Sequence, residues 1–359
     1  MFLSYYHEIW RLLVISKSLR VFVIIAVTIF ACLSCAKEKV PGKIKIGLSM
    51  DSLKEERWQK DRDIFKAVAE LMGAEVVIQA AQGNDATQIA QCENLITQGV
   101  DVLVIIPHNG EAMAVAVEKA HESGIPVIAY DRLIMNCDLD IYISFDNVRV
   151  GELQATEITK LVPKGNYVYI GGAPTDNNAL LFKQGAMNIL NPLIEKGDIN
   201  LVFDQFSDDW SASVAQKHME NALTKNNNEI DAVIAANDGT AGGAVQALSE
   251  QGLAGKVPIS GQDADIAGCM RIVEGTQSMT VYKSIKSIAA EAVKLSIRMA
   301  KGESIAAANT VNNNKKDVPS VLLTPVAVTK DNMYQVVVRD GHHRLEAVYK
   351  NIPKDQWPE

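Results

Sequence analysis

Short polar clusters follow the apolar, strand-like runs of this 359-residue chain, and their residue types suit the binding of a polar small molecule. The clusters are Glu56-Arg57-Trp58, Asp131-Arg132, Asp146-Asn147, Asp176-Asn177-Asn178, Asn237-Asp238, Asp263-Ala264-Asp265 and Tyr282-Lys283. In an open α/β sheet, ligands bind in the crevice outside the carboxyl ends of the strands. The recurrence of these clusters therefore predicts one polar pocket that is assembled from distant segments of the chain.

No assembled catalytic or metal-binding pattern accompanies these clusters in the sequence. The segment 239–243 is rich in glycine, but it lacks both the dinucleotide fingerprint and the Walker lysine. There is no nucleophile elbow, and His342-His343 has no partner at metal-ligand spacing. We therefore expect a binding protein rather than an enzyme, with no cofactor and no metal.

The clusters need a scaffold, and the chain from residue 43 onward alternates strand and helix patterns. Continuous apolar runs at 102–106, 126–130, 167–170 and 232–235 predict strands that are buried on both faces. Apolar residues at helical spacing lie between such runs, for example in 57–72. This alternation predicts an α/β fold built from doubly wound parallel sheets.

Two sheet lobes fit the alternation better than one continuous sheet. A first series of strand and helix units runs to Tyr130, and a second series begins near Val150. The predicted ranges are 1–35 for a signal peptide with a lipoprotein box, 43–146 plus 280–323 for the N-terminal lobe, 147–279 plus 324–345 for the C-terminal lobe, and 346–359 for a tail. The chain would cross between the lobes three times, and a three-segment hinge limits motion to opening and closing.

The first 35 residues have the pattern of an export signal. Basic residues precede an apolar run at 21–33, and this run is shorter than the ~20 residues that span a bilayer. A retained membrane anchor is the alternative. The end of the run, 30–35, resembles a bacterial lipoprotein box, in which Cys35 would be lipidated; cleavage before Cys32 and an unlipidated signal are the other possibilities. We expect an exported protein, periplasmic or held at the cell envelope by a lipid.

Charge and cysteine usage exclude further classes. The formal net charge is -8, and the absence of a basic run argues against nucleic acid and against electrostatic binding to anionic membranes. Beyond the signal, Cys92, Cys137 and Cys269 lie far apart, without the spacing of a zinc site or a redox motif. We expect buried free thiols, with one disulfide bridge as the alternative.

Several longer stretches occur together in the order found in one known family. They are 57–63, 99–107, 130–132, 142–147, 176–178, 237–243 and 260–265. From about Lys43 to His343 the chain resembles the periplasmic D-xylose-binding proteins of bacterial ABC transport, which have the type I periplasmic binding protein fold. It departs from them at both ends, because the N-terminus looks lipidated and the segment after Arg344 matches nothing in the family.

The resemblance implies a set of sugar contacts, residue by residue. They are Arg57, Trp58, Asp131 and Arg132 from the first lobe, Asp176, Asn178, Trp210, Asn237 and Asp263 from the second lobe, and Lys283 at a crossover. These residue types suit a pyranose, because carboxylates, amides and guanidinium groups pair with hydroxyls and indole rings pack on C–H faces. Trp58 and Trp210 would cover the sugar from opposite lobes.

Each of these assignments has a structural alternative. The two arginines could be surface ion-pair partners. Asp131, Asn237 and Asp263 could cap the helices that follow them. Trp210 could pack beneath a loop.

The resemblance implies a monomeric solute-binding protein that captures D-xylose and delivers it to the permease of an ABC importer. A few side chains set the choice of sugar, so ribose, arabinose or glucose is the nearer alternative. The more distant alternative is a sugar-sensing subunit that docks on a membrane histidine kinase or a chemoreceptor.

Overall fold

Two separate sheet systems, which we call the first lobe and the second lobe, form in the computed structural model, which describes residues 42–358. The strands of the first lobe are β1 (Lys45–Met50), β2 (Glu75–Ala80), β3 (Val102–Ile105), β4 (Val127–Tyr130), β5 (Ile141–Phe145), β10 (Asn309–Asn312) and β11 (Asp317–Leu323). They form one seven-stranded sheet in the order β10-β11-β5-β4-β3-β1-β2. All neighbours are parallel except the pair β10 and β11.

Helices cover both faces of the first sheet. They are α1 (Glu56–Leu71), α2 (Asp85–Thr97), α3 (Ala114–Glu122) and α9 (Ile285–Ala300). Phe65 of α1 and Ile288 of α9 belong to the core on one face. Leu95 of α2 and Val117 of α3 belong to the core on the other face. The strands are apolar on both sides because both sides are buried.

The second lobe also alternates strands and helices, but its strands form a three-stranded sheet and a separate two-stranded sheet. Its strands are β6 (Gly165–Gly171), β7 (Ile199–Phe206), β8 (Ala232–Ala235), β9 (Met279–Tyr282) and β12 (Val326–Thr329), and its helices are α4 (Asn147–Leu161), α5 (Asn177–Glu195), α6 (Ala212–Lys225), α7 (Asp238–Glu250), α8 (Ile266–Glu274) and α10 (Leu345–Val348). β7, β6 and β8 are parallel, and β9 pairs with β12 in antiparallel register. The predicted α/β fold with two parallel-sheet lobes is confirmed.

The chain passes between the lobes in three places. It leaves the first sheet after β5, returns between β9 and α9, and leaves again between β11 and β12. The predicted ranges placed the return at residue 280. In the structure β9 pairs with β12 as far as Tyr282, so the return lies at Lys283 and Ser284.

The segment 346–359 was predicted as a tail outside the two lobe ranges, and the part of it that the structure describes packs on the second lobe. Tyr349 and Val348 are buried in a cluster with Cys269 of α8. The indole of Trp357 donates a hydrogen bond to the carbonyl of Ile352 at 2.9 Å. The apolar residues of this short segment do not recur with a helical period. The sequence alone therefore did not show that the segment packs on the second lobe.

The predicted signal segment and Cys35 lie outside the described residues. Among residues 42–358, no helix is both long and apolar enough to cross a bilayer. Cys92, Cys137 and Cys269 are buried and carry free thiols.

Two glycines allow α4 and α5 to approach each other closely. A Cβ added at Gly151 of α4 would overlap the carbonyl oxygen of Phe182. A Cβ added at Gly185 of α5 would overlap the carbonyl oxygen of Val148. Because the obstructing atoms are backbone, a larger residue at either position has to separate the helices.

We predict that Gly185→Ala lowers the free energy of unfolding by about 1–3 kcal/mol, because the added methyl group meets backbone. The matched control is Gly239→Ala in α7, where the nearest heavy atoms lie at 3.5 Å. That control should be neutral or slightly stabilising, because alanine favours helix over glycine. Urea unfolding of both variants checks the prediction, and equal stabilities would contradict the close-contact argument.

Candidate functional site

All ten residues that the sequence predicted to contact a ligand line one cleft between the two lobes. They are Arg57, Trp58, Asp131, Arg132, Asp176, Asn178, Trp210, Asn237, Asp263 and Lys283. Glu55, Phe182 and Gln262 line the same cleft and were not predicted. Glu55 lies two residues before Arg57, and Gln262 directly precedes Asp263. Phe182 lies one helical turn after Asn178. Their spacing from predicted residues could therefore have identified all three.

The cleft residues of the first lobe follow the carboxyl ends of parallel strands. Arg57 and Trp58 lie in the first turn of α1, which follows β1, and both are buried. Asp131 and Arg132 come directly after β4. β1 and β4 flank β3 in the sheet, so their ends open on the same edge.

The cleft residues of the second lobe lie mostly at the starts of helices. Asp176 caps α5, and its carboxylate accepts a hydrogen bond from the backbone N–H of Asn178 at 2.9 Å. Asn237 caps α7 in a capping box with Thr240. The capping alternative therefore applies to Asn237, which caps a helix and lines the cleft. It does not apply to Asp263, because α8 begins after Asp265.

Arg57 connects carboxylates from both lobes. Its Nη2 lies 3.0 Å from Asp131 Oδ2 in the first lobe, and its Nη1 lies 3.0 Å from Asp263 Oδ1 in the second lobe. Its Nε lies 3.3 Å from Asp61 Oδ2 on the next turn of α1. Lys283 adds a second positive charge beside Asp263, since its Nζ lies 3.2 Å from Asp263 Oδ1. All of these side chains are buried, which excludes the surface ion-pair alternative for Arg57.

Arg132 makes a second bridge of the same kind. Its Nη1 lies 2.8 Å from Asp51 Oδ2 in the first lobe, and its Nε lies 2.8 Å from Asp176 Oδ2 in the second lobe. Asn178 adds a neutral link, because its Nδ2 donates to the backbone carbonyl of Asp131 at 3.0 Å. We call the ion pairs of Arg57, Arg132 and Lys283 the cross-lobe network.

In this network burial raises the pKa of a carboxyl group, and neighbouring cations lower it. At Asp131 burial raises the pKa, but Arg57 and Lys283 together outweigh burial and leave the pKa below its ordinary value. At Asp176 burial prevails over the attraction of Arg132, and the pKa is raised. The network therefore favours the ionised form of Asp131 although the side chain is buried.

Two indole rings provide the apolar surfaces of the cleft. The guanidinium carbon of Arg57 lies 4.2 Å from the ring centroid of Trp58. Trp210 lies edge-on to Phe182, with 6.2 Å between the centroids. A Cβ added at Gly172 would overlap the ring of Trp210, so the ring lies directly on that backbone.

Several polar atoms of the cleft have no hydrogen-bond partner among the described residues. They are the indole nitrogens of Trp58 and Trp210 and the Oε1 of Gln262, all of them buried. Buried polar groups are normally paired, so unpaired atoms that face a cleft are available to a ligand. The cleft thus offers two donors and an acceptor in addition to its charged groups.

The backbone at the cleft is unusually strained. Asp131, Trp210 and Asp263 all have left-handed backbone, with φ of 61°, 55° and 91°. Non-glycine residues seldom adopt this conformation, and such strain clusters at functional sites, where the surroundings hold it in place. Here it turns three of the predicted contact residues toward one point.

Very little free space remains inside the cleft. Water-sized molecules can occupy about 20 Å³ between the side chains, which is room for about one water molecule. A larger molecule can reach the charged groups only if the lobes separate or the cross-lobe network rearranges.

Comparison with known proteins gives consistent matches over most of the chain. The family described as "Periplasmic binding protein domain" matches residues 46–304. The D-xylose-binding periplasmic protein of Haemophilus influenzae is 54% identical over 90% of this chain and 96% of its own length. The protein of the same name from Escherichia coli is 55% identical over 84% of this chain and 92% of its own length. An ABC transporter solute-binding protein from Clostridium phytofermentans, solved with bound β-D-glucose, superposes with a TM-score of 0.79 at 31% identity, covering 85% of this chain and 99% of that protein.

The buried Asp61 beneath Arg57 gives a prediction about pH. Burial raises its pKa to about 6, although Arg57 and the hydroxyl of Tyr130 oppose the shift. A carboxyl whose folded pKa exceeds its unfolded value contributes stability that is fully present below pH ~4 and is lost as the pH rises through about 6. From pH 7 to 4.5 the unfolding free energy of the natural protein should therefore rise relative to that of Asp61→Asn, by on the order of 2 kcal/mol.

Urea unfolding of both proteins across this pH range measures the difference. The control is Asp63→Asn, because the Asp63 side chain is 67% exposed and should leave the pH dependence nearly unchanged. A pH-independent difference between the natural protein and Asp61→Asn would show that Asp61 has an ordinary pKa.

Proposed function

We propose that this chain, which belongs to the periplasmic binding protein family, captures D-xylose in the cleft between its lobes and delivers it to an ABC importer. The observation that carries the proposal is the cleft itself, which gathers charged, amide and indole side chains from both lobes at one point. The identity of 54% and 55% to two relatives named for D-xylose binding supports the choice of sugar.

The side chains of the cleft suit a sugar with several hydroxyls. Each hydroxyl donates one hydrogen bond and accepts others, so it can accept from a guanidinium group while it donates to a carboxylate. Arg57 with Asp131, and Arg132 with Asp176, each present such a pair. Hydroxyls of the sugar would take over part of these contacts while the charges stay compensated.

Binding of the sugar would favour closure of the two lobes around it. A ligand shifts a conformational equilibrium only through contacts that differ between the states, and this cleft offers contacts from both lobes. The three crossings between the lobes restrict the motion to opening and closing, as in hinge closure around ligands in periplasmic binding proteins. The small free volume of the cleft supports a mechanism in which the sugar binds to separated lobes and is then enclosed.

Glucose is the second candidate ligand. The solute-binding protein from Clostridium phytofermentans was solved with β-D-glucose, and it shares the fold over nearly its whole length. In the pyranose form glucose carries a hydroxymethyl group that xylose lacks, so the two candidates differ in size as well as in the number of hydroxyls.

We also propose that the protein is exported and is held at the envelope through a lipid on Cys35. The basic residues, the apolar run and the Ser34-Cys35 pair of the N-terminal segment support this proposal.

The test of the proposed function is isothermal titration of the purified protein with xylose, ribose, arabinose, glucose and galactose. A micromolar dissociation constant corresponds to about -8 kcal/mol and is readily measured. We expect tight binding of xylose and weaker binding of the others. Tighter binding of another sugar would show that D-xylose is not the preferred ligand. If none of the five sugars binds, the proposed function is wrong.

Trp210→Ala should weaken xylose binding by at least ~1 kcal/mol, about fivefold in the dissociation constant, because the sugar loses an indole surface. The matched control is Trp357→Ala, since Trp357 packs beside Tyr349 away from the cleft. The control should retain the affinity of the natural protein. If Trp210→Ala binds xylose as tightly as that control, Trp210 does not contact the sugar.

Cys35→Ser should release the protein from the membrane, because serine offers no thiol for the lipid. Cys32→Ser is the control and should leave the protein in the membrane fraction. Cell fractionation followed by mass measurement of the mature N-terminus checks both variants. If Cys32→Ser releases the protein and Cys35→Ser does not, the lipid is attached to Cys32.

A further inference from the structure

A titratable contact joins the two lobes beside the ligand cleft. His108 follows β3 of the first lobe, and its Nε2 lies 3.9 Å from Oδ1 of Asp209 in the second lobe. Neither residue lines the cleft in which the sugar is proposed to bind. A change of charge on His108 can therefore alter the attraction between the lobes without altering a contact to the ligand.

Three carboxylates surround the imidazole of His108, and two of them belong to its own lobe. Nδ1 lies 2.9 Å from Asp51 Oδ1, and Nε2 lies 3.9 Å from Asp85 Oδ1. The nearer carboxylate favours a proton on Nδ1, because an anion attracts the N–H side of the neutral ring. Nε2 is then the nitrogen that gains and loses a proton, and it faces both Asp85 and Asp209.

The other charged groups near His108 compensate these carboxylates unequally. Arg132 Nη1 lies 2.8 Å from Asp51 Oδ2 and compensates that carboxylate. Asp85 Oδ1 is buried and has no hydrogen-bond partner within residues 42–358. Closure brings the Asp209 carboxylate toward Asp85, which is unfavourable beside a neutral imidazole and favourable when an imidazolium lies between the two. Glu55 and Lys54 are the remaining charged residues that line this space.

The loop that carries Asp209 also carries a residue of the cleft. Asp209 and Trp210 are consecutive residues with left-handed backbone, at φ 53° and 55°. Lys54 of the first lobe donates through Nζ to the backbone carbonyl of Asp209 at 3.2 Å. A contact that holds Asp209 against the first lobe therefore also holds the loop that places the Trp210 indole at the cleft.

The proton on His108 distinguishes the closed lobes from separated lobes. Asp51 raises the pKa of His108 most, and Asp85 and Asp209 raise it further, against partial burial. Asp51 and Asp85 stay beside His108 when the lobes separate, whereas Asp209 leaves with the second lobe. The pKa of His108 is therefore higher in the closed arrangement. By linkage, closure becomes more favourable as the pH falls through that pKa.

We propose that His108 and Asp209 form a pH-sensitive latch, which stabilises the closed arrangement of the lobes when His108 is protonated and weakens it when His108 is neutral. The protein would then bind xylose more tightly, and release it more slowly, at acidic than at alkaline pH. The Asp209 side chain is 72% exposed, so water screens the pair and the effect is modest. This inference rests on the proposed function, because the ligand that closes the lobes is taken to be xylose.

Isothermal titration with xylose between about pH 6 and about pH 8.5 tests the latch, since the ordinary pKa of histidine is about 6.5 and that of His108 is raised. Asp209→Asn removes the charge and keeps a residue that tolerates left-handed backbone. Its matched control is Asp208→Asn, the exposed neighbour. Other buried carboxyls, such as Asp61, titrate in the same range, so each variant is compared with the natural protein at every pH.

The affinity advantage of the natural protein over Asp209→Asn should be about twofold to fivefold larger at the acidic end of this range than at the alkaline end. Asp208→Asn should follow the natural protein. If Asp209→Asn has the pH profile of the natural protein, the latch is wrong and xylose binding still supports the proposed function. If xylose binds at no pH, both the proposed function and the latch are wrong.

The pKa of His108, followed by NMR of its imidazole, separates a latch from a merely structural role. The His108 signal is assigned by its loss in His108→Gln, with His121→Gln as the control, because His121 pairs with Asp140 of its own lobe. Saturating xylose should raise the pKa of His108 in the natural protein and in Asp208→Asn, but not in Asp209→Asn. An unchanged or lower pKa in the natural protein with xylose would contradict the latch.

Discussion

Compensation of buried charge across the gap between the lobes is the constraint on which the rest of this structure depends. Arg57, Arg132 and Lys283 are all buried, and a buried cation without a partner is strongly destabilising. Their carboxylate partners come from both lobes, notably Asp176 and Asp263 from the second. In this arrangement each buried cation is therefore compensated by carboxylates of both lobes, and separation of the lobes would expose these charges to water instead of leaving them buried and unpaired.

The fold brings the residues of this network, which are distant in the sequence, together at the cleft between the lobes. Parallel strands deliver Asp131 and Arg132 at the end of β4, and the helix that follows β1 delivers Arg57. In the second lobe, close packing of α4 on α5 through Gly151 and Gly185 fixes the helix that begins with the cap Asp176. Left-handed backbone at Asp131 and Asp263 is held in place by the ion pairs that their side chains make with Arg57 and Lys283.

Much of the fold and the position of the cleft could be predicted from the sequence because their signals are local, whereas the individual contact residues were implied by the resemblance to a known family. Apolar runs that alternate with helical periods specify strands and helices, and polar clusters at strand ends mark where a cleft must form. The capping role of Asn237 was also readable, since an asparagine before an apolar helix is a common cap.

The features that could not be predicted depend on tertiary contacts. Asp61 lies within the stretch 57–63 that carries the resemblance, but only its burial and its contacts with Arg57 and Tyr130 show its place in the network. The packing of Tyr349 and Trp357 on the second lobe, and the pairing of β9 as far as Tyr282, depend likewise on partners far away in the chain.

The most direct test of cross-lobe capture is the distance between the lobes in solution. Spin labels at Glu122 of α3 and Lys217 of α6 would report it by pulsed electron resonance, because one helix belongs to each lobe. Saturating xylose should shorten and narrow the distance distribution of the natural protein, and it should do so much less when Arg57→Met removes the central bridge. An unchanged distribution in the natural protein at saturating xylose would contradict the account.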